Sequence, residues 1–432
     1  MTSTPAAQTG ASTSGLAAAP AAPSRRHVAP AGSPIRAGDL ARWVGRLVSR
    51  RRAVETLRDH VRASYGVSAC FPVSTGRAGM SLLFETLASL APGRHDVVMP
   101  AYTCYSVAAS AVKAGLKPRL VDVDPTTLDL APQALADVDG EGALAIVATN
   151  LYGMPSDLPA VVAAGRRLGA FVIDDAAQAM GASIGGRACG TWGDAGLFSL
   201  DKGKNISAID GGLLVTSSDA VAAALDRRWR ALDRAGAATV ATDALKVLIY
   251  AALLPPSVYW IPRSIPQLGL GQTPFTTDFP LTGLPGVLAS LALTMLPRLE
   301  TYNTQRRANA LAIADQLAPL GGVTVPQPHA GAHAVYLRLP ILVDDAALQA
   351  PLIEALNRQG IGATGSYPTS LADVPALRPH LANPDDPMPG ARDVARRIVT
   401  LPTHPYVTEA DRRRIVDTVR RVVRGSREAG GR

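Results

Sequence analysis

Between Cys70 and about residue 235 the chain alternates short apolar runs with helix-patterned segments, and this alternation narrows the possible folds more than any other feature. The apolar runs read as strands at 96–99, 119–121, 143–148, 171–173, 195–200 and 213–216. Helical patterning falls between them, over 78–90, 106–114 and 158–168. A strand that is apolar on both faces needs a covering layer on each side, and helices connecting parallel neighbours supply it. The expectation is an α/β fold with a mostly parallel sheet, its domain running over 39–235.

The flanks differ in kind. Residues 1–38 are mostly Ala, Pro, Ser, Thr and Gly without the apolar stretch of a signal peptide, and they read as a disordered tail. Asp39 is placed to cap a basic helix running through Leu40, Val44 and Leu47 to about Arg62. Within it Arg50-Arg51-Arg52 is a solvated face or, alternatively, a contact for phosphate or anionic lipid. Residues 236–300 break the alternation as an apolar insertion and connecting segment. Its uncharged part, 247–262, is interrupted by Pro255-Pro256 and is too short to span a bilayer, which takes roughly 20 residues. Tyr259 and Trp260 beside Lys246 and Arg263 suit a peripheral membrane contact, and a buried domain or dimer contact is the competing reading.

The last unit, 301–425, returns to mixed elements. A helix over 299–317 precedes a strand at 334–343, a helix at 346–359 and the turn Gly365-Ser366-Tyr367-Pro368. Thr408 and Asp411 begin a final helix with a capping-box spacing. This predicts a small C-terminal α/β domain.

A chain with 47% hydrophobic residues can bury a large core, and a net charge of +8 suits anionic ligands. With 5% aromatics and no basic stripe interleaved with them, nucleic-acid binding is not expected. Cys70, Cys104 and Cys189 have neither disulfide nor metal spacing, which fits a reduced, cytoplasmic setting. The segment 247–262 adds the inner face of the membrane as an alternative location. His404 reads as structural, and His329, His333 and His380 lack metal-ligand spacing, so no metal is expected.

Three segments carry chemistry. Phe198-Ser199-Leu200-Asp201-Lys202-Gly203-Lys204-Asn205 follows an apolar run and precedes Asp210-Gly211-Gly212. A lysine at a strand end, buried over a cofactor, offers a free amine for Schiff-base chemistry, whereas most lysines in such loops are solvated. In Val172-Ile173-Asp174-Asp175-Ala176-Ala177-Gln178 two acids close a strand, where ligands of open α/β sheets bind. One carboxylate there can keep a pyridinium nitrogen protonated. Asp174 reads instead as the cap of a following helix. Ser74-Thr75-Gly76-Arg77-Ala78-Gly79-Met80 leads into a helix whose exposed N–H groups form a phosphate site or merely an ordinary N-cap.

Together these segments, with Pro100-Ala101-Tyr102-Thr103, Leu120-Val121-Asp122-Val123-Asp124, Gly211-Gly212-Leu213-Leu214-Val215-Thr216 and Leu401-Pro402-Thr403-His404-Pro405, resemble the DegT/StrS family of pyridoxal-phosphate (PLP) dependent nucleotide-sugar aminotransferases. The resemblance covers about 65–235 and 285–420 and implies fold type I, with a seven-stranded, mostly parallel sheet. It also implies PLP as cofactor and a homodimer. The implied reaction moves an amino group from an amino-acid donor, usually glutamate, to a keto-sugar that is nucleotide- or lipid-linked, in polysaccharide or secondary-metabolite biosynthesis. Dehydratase-like chemistry and a non-catalytic regulator are the alternatives. By resemblance Lys204 is the Schiff-base lysine, with Lys202 its rival, and Asp175 faces the pyridine nitrogen. Gln178 lies near the cofactor hydroxyl, and Thr75, Gly76, Arg77 and Ser199 belong to the phosphate site.

The chain also departs from the family pattern. Arg77 stands where members have Thr, and Cys104 stands where an aromatic stacks on the ring, leaving Tyr105 as a substitute. Leu281 and Gly283 fall where the partner subunit normally lends Asn and Arg. The permanent charge of Arg77 is expected to replace that donor.

Overall fold

The computed structural model describes residues 26–265 and 274–430. Seven strands form the main sheet: β1 (Ala69–Val73), β2 (Asp96–Pro100), β3 (Lys117–Val121), β4 (Ala143–Thr149), β5 (Phe171–Asp175), β6 (Ala195–Ser199) and β7 (Gly212–Thr216). Their order is β1-β7-β6-β5-β4-β2-β3, with β7 antiparallel to both neighbours and the other pairs parallel. The chain is thus α/β, as the alternation predicts.

Period-two alternation explains the layering. Val97, Met99, Ala145 and Val147 enter one core, with Met80, Leu83 and Leu87 of helix Gly76–Leu90. Val98, Ile146, Ala148 and Val172 enter the other, with Leu57 and Val61 of Ala53–Tyr65, Leu158 and Val161 of Leu158–Leu168, and Leu288 and Ala292 of Gly286–Met295. A smaller antiparallel sheet of β8 (Val323–Thr324), β9 (Arg338–Val343) and β10 (Ile398–Pro402) carries helices Leu299–Leu317, Gln349–Arg358 and Glu409–Gly430. Thr408 and Asp411 do cap the last helix reciprocally: Thr408 N donates to Asp411 Oδ2 at 2.9 Å and Asp411 N to Thr408 Oγ1 at 3.3 Å.

Four expectations need correction. The basic helix expected over 39–62 is two, Ala37–Arg46 and Ala53–Tyr65, because the chain turns where Arg50 meets Gly286. A Cβ on Gly286 would stand 2.3 Å from the Arg50 carbonyl oxygen. Asp39 lies within the first turn rather than before it and accepts from Arg36 N at 2.9 Å. The strand expected at 334–343 begins only at Arg338, since Tyr336 sits at φ 47°.

The largest correction concerns the tail. Residues 1–25 lie outside the described residues, but 26–36 form a strap pinned to remote parts of the chain. Arg26 pairs with Asp411 at 2.8 Å. Val28 N donates to Gly360 O at 2.8 Å, and Gly362 N donates back to Val28 O at 2.9 Å. His404 Nε2 lies 2.8 Å from Ala29 O. Burial pushes the His404 imidazole down to about 4, so it stays neutral and structural, in line with the sequence reading.

The insertion is helical over Ala237–Leu253 and Trp260–Arg263. Val247 and Leu254 are buried, while Leu245, Leu248, Ile249, Trp260, Ile261 and Ile265 are exposed. Residues 266–273 of this segment lie outside the described residues. Among the described residues no helix is long and apolar enough to cross a membrane.

Candidate active site

The carboxyl ends of β1, β4, β5 and β6 share one edge of the sheet, and a cavity of about 1010 Å³ opens there. Thr75, Gly76 and Arg77 line it after β1, Asp175 and Gln178 at the end of β5, Ser199 at the end of β6, and Lys202 and Lys204 in the loop that follows. The sheet therefore gathers most of the predicted residues from segments far apart in sequence.

The Gly76 end is built by close approach. Thr75 Oγ1 caps the helix by accepting from Ala78 N at 3.0 Å, so the N-cap reading holds for Thr75. The N–H groups of the helix's first turn face the cavity end, where the helix dipole favours an anion. Ser199 stands beside them: a Cβ on Gly76 would lie 3.5 Å from Ser199 Oγ. Gly212 passes behind, where a Cβ would meet Thr75 O at 2.7 Å and Gly76 N at 3.0 Å. A side chain at 212 would thus displace the helix start. Arg77 lays its guanidinium over the Phe279 ring at 5.3 Å. Thr282 O accepts from Ser74 N at 2.9 Å, and Gly283 bridges Val73, so the 281–283 segment of this chain runs beside the same cradle.

Asp174 and Asp175 face opposite sides of the sheet because successive strand residues alternate. Asp174 is not the helix cap expected from sequence, since a turn follows β5. Its carboxylate instead accepts from Asn150 Nδ2 at 2.7 Å and Trp192 N at 3.2 Å, fixing a neighbouring loop. Burial raises it to about 7, with those hydrogen bonds opposing the rise. Asp175 lies on the cavity side with one hydrogen bond, from Ala177 N at 3.0 Å. Burial pushes its carboxyl up to about 6, opposed by the Ala177 N–H and by the Lys204 cation.

Lys204 and Lys202 have different surroundings. The Lys204 charge acts on Asp175, whereas Lys202 is half exposed and lies 4.0 Å from Asp201. The backbone carrying Lys204 is tied down. Ser33 Oγ lies 2.8 Å from Lys204 O and 2.9 Å from Asn205 O. Fully buried Arg306 donates to Asn205 O (2.8 Å), Gly32 O (2.9 Å), Ser33 Oγ (3.0 Å) and Lys204 O (3.2 Å). The strap and helix Leu299–Leu317 thus hold the lysine loop from below.

Gln178 bridges the two domains. Its Oε1 accepts from Tyr152 N at 3.0 Å and its Nε2 donates to Tyr367 Oη at 3.1 Å. Cys104 lines the cavity with its Sγ 2.9 Å from Ser106 Oγ. Tyr105 does not line it. Its ring turns into the seam with the small domain and its hydroxyl meets Thr369 Oγ1 at 2.7 Å. Cys104 is the extended residue before helix Tyr105–Lys113 and Tyr105 its first helical residue, so the two side chains leave the backbone in different directions and the expected substitution fails. The aromatic rings that do line the cavity are Tyr152, Tyr250, Tyr259 and Tyr367. The sequence marked Tyr367 only as part of a turn, and it carried no local signal for Tyr152, Arg306 or Arg338.

Among the described residues no group of three His, Cys, Asp or Glu side chains could hold a metal. The sheet order and the lysine-and-acid pocket at its carboxyl edge define a fold-type-I transferase, the fold of the solved neighbours. The family model for DegT/DnrJ/EryC1/StrS aminotransferases matches residues 45–420, and the chain belongs to that family. It is therefore an aminotransferase, in a family of sugar aminotransferases that use PLP. A relative from Acidithiobacillus ferrooxidans named UDP-N-acetyl-3-dehydro-alpha-D-glucosamine 3-aminotransferase is 28% identical over 407 residues, 93% of this chain and 97% of its own. Helicobacter pylori PseC, an aminotransferase involved in pseudoaminic acid biosynthesis, superposes with a TM-score of 0.76 at 15% identity, covering 93% of this chain and 100% of that one. DesI, solved in the presence of its TDP-sugar product, gives 0.73 at 23% identity, covering 94% and 95%.

Proposed function

We propose that the chain is a PLP-dependent aminotransferase that moves an amino group from glutamate to the keto group of a sugar carried on an anionic, nucleotide- or lipid-linked group. The observation that carries this reading is the Asp175–Lys204 pair at the cavity floor beside a helix N-terminus and Ser199. These residues fit the cofactor. A buried carboxylate with a single protein hydrogen bond keeps an oxygen free for a ring nitrogen. The Gly76 cradle offers N–H groups, a hydroxyl and the Arg77 cation to a phosphate.

Lys204, Asp175, Gln178, Ser199, Thr75, Gly76 and Arg77 would hold PLP, and when bound it supplies an electron sink for carbanion chemistry at the donor. Once free, Lys204 Nζ would take the proton from the donor's α-carbon as base and give it as acid to the adjoining cofactor carbon, and would run that transfer in reverse toward the acceptor carbon. Asp175 remains the counter-charge for a protonated ring nitrogen. Tyr152 and Tyr367, both buried, form part of the cavity wall and would limit bulk water there. Lysine at 204, rather than a histidine there, favours amino transfer over the dehydratase alternative.

Two finer readings accompany this one. A homodimer follows from the family. The exposed apolar residues of 245–265, with Trp260 and Tyr259 between Lys246 and Arg263, suit peripheral contact with an anionic membrane surface. Glutamate-dependent amination of UDP-N-acetyl-3-dehydroglucosamine or another keto-sugar nucleotide, followed as 2-oxoglutarate release, tests the central reading. Release that needs both PLP and the acceptor supports it, and a PLP-loaded protein that never converts glutamate opposes it.

A further inference from the structure

Lys202 and Lys204 both line the cavity from one short loop, with Gly203 between them. The backbone at Lys204 is gripped by two side chains from distant segments, Ser33 and Arg306, both fully buried. A hydroxyl has one proton to donate, so Ser33 cannot donate to both carbonyls it touches. Its shorter contact is Lys204 O at 2.8 Å, against 2.9 Å for Asn205 O. Arg306 has the opposite preference: Nη1 donates to Asn205 O at 2.8 Å, while Nη2 reaches Lys204 O at 3.2 Å. Nη2 also donates to Ser33 Oγ at 3.0 Å. The pair thus divides the two carbonyls, and Ser33 accepts from Arg306 while it donates to the loop.

The grip is stiff at both ends. Among the described residues Arg306 pairs with no carboxylate, and its acceptors are the carbonyls of residues 32, 204 and 205 and the Ser33 hydroxyl. A buried cation that depends on those acceptors resists their displacement. The strap carrying Ser33 is anchored beyond the loop as well. His27 N donates to Pro256 O at 2.8 Å, Ser33 N donates to Tyr250 Oη at 3.2 Å, and Val28 pairs with Gly360 and Gly362. The strap also lies against the residue that separates the two lysines. Gly203 sits at φ 89°, and a Cβ there would stand 3.3 Å from Ala31 Cβ. Pro30 and Ala31 are themselves part of the cavity wall.

We infer that Ser33 and Arg306 are positioning residues that decide which lysine carries the cofactor, acting on Lys204 through its backbone carbonyl, an inference that rests on the PLP-dependent aminotransferase reading. A lysine amine sits on a flexible four-carbon stem, so its side chain alone does not confine it. Fixing the backbone that bears the stem narrows the arc the amine can sweep and holds it toward Asp175. Lys202, half exposed and 4.0 Å from Asp201, is the amine that gains when the loop loosens. The strap is in this account a wall of the active site, and its hydroxyl at residue 33 is the part that sets the lysine.

The test uses the full-length, PLP-loaded protein with three variants. Ser33→Ala removes the hydroxyl, Arg306→Lys keeps the charge without the fork, and Arg26→Ala cuts the strap's tie to Asp411 far from the loop. Each is reduced with borohydride and its peptides are mapped for the pyridoxyl label. In Ser33→Ala and Arg306→Lys the ratio of label on Lys202 to label on Lys204 should rise roughly tenfold, the scale of one buried hydrogen bond. The limiting rate of the glutamate-driven absorbance change should fall roughly tenfold or more, while the glutamate concentration giving half that rate stays within about threefold. Arg26→Ala should melt lower yet keep the parent's labelling ratio, which separates positioning from a general loss of stability. An unchanged ratio in Ser33→Ala, or an equal rise in Arg26→Ala, overturns the inference while leaving the aminotransferase reading intact. A parent protein that takes label on neither lysine sinks that reading, and the inference with it.

Discussion

Replacing Asp175 with asparagine should make the cofactor-free protein more stable at pH 8 and leave it unchanged near pH 4. Asp175 is buried on the cavity side with a single hydrogen bond, and burial raises its carboxyl from 3.8 to about 6. The folded chain therefore binds this proton more tightly than the unfolded chain. Below about pH 4 both states are protonated and the acid is buried neutral, without a charge penalty. As the pH climbs from about 4 to about 6 the unfolded state ionises first and gains relative to the fold, and above about 6 the loss is complete. Two pH units at about 1.36 kcal/mol each amount to about 3 kcal/mol. Asparagine has the same shape, never ionises, and its amide oxygen can keep the bond from Ala177 N. Melting temperatures of the two apoproteins between pH 4 and 8 should diverge with pH by roughly 3–6 °C and then level off. A difference that ignores pH, or an asparagine variant that melts lower at pH 8, would refute the reasoning. The same variant should hold PLP poorly, because the acid that destabilises the empty fold is the one a pyridinium nitrogen needs.

Arg77→Ala should weaken PLP binding about tenfold or more, the scale of one charge-assisted hydrogen bond, and unchanged affinity by fluorescence titration would show that Arg77 is no phosphate ligand. Arg306→Met removes a charged donor from four acceptors on residues 32, 33, 204 and 205, leaving only the Ser33 hydroxyl to serve the last two carbonyls. It should cost about 3 kcal/mol or more in denaturant unfolding and expose the strap to protease near residue 33, and an equally resistant variant would contradict the clamp. Leu248→Glu with Ile261→Glu should abolish sedimentation with phosphatidylglycerol-containing vesicles while the mass in solution stays the same. A parent protein that ignores the vesicles, or a variant that loses a dimer, would assign the exposed face to a second copy.

The sheet was legible because its strands are buried on both faces and read as unbroken apolar runs. Six of its seven strands fall where those runs lie. The missed one, β1, contains Pro72 in Ala-Cys-Phe-Pro-Val, and proline argues against a central strand. It is tolerated here because β1 is an edge strand whose one strand neighbour among the described residues is β7, with a single further bridge from Val73 to Gly283. The strap was illegible for a different reason. Its order comes from backbone groups meeting Gly360, Arg306 and His404, contacts between residues hundreds apart that leave no periodic trace in an Ala- and Pro-rich stretch. Asp174 and Asp175 could have been separated from sequence, since neighbouring strand residues cannot share a face. Tyr105 could not stand in for Cys104, because the backbone passes from extended to helical between them and turns the tyrosine ring into the seam with the small domain. Arg338 gave no warning: it lies within the run expected as a strand over 334–343, and only the folded chain brings it to the cavity.

The central claim is that Lys204, facing Asp175, carries the cofactor. Loading the protein with PLP, reducing it with sodium borohydride and mapping the peptides by mass tests this directly, because reduction fixes the cofactor to whichever amine held it. A single pyridoxyl group on Lys204 is the predicted result. A label on Lys202, or no label on either lysine, would contradict it.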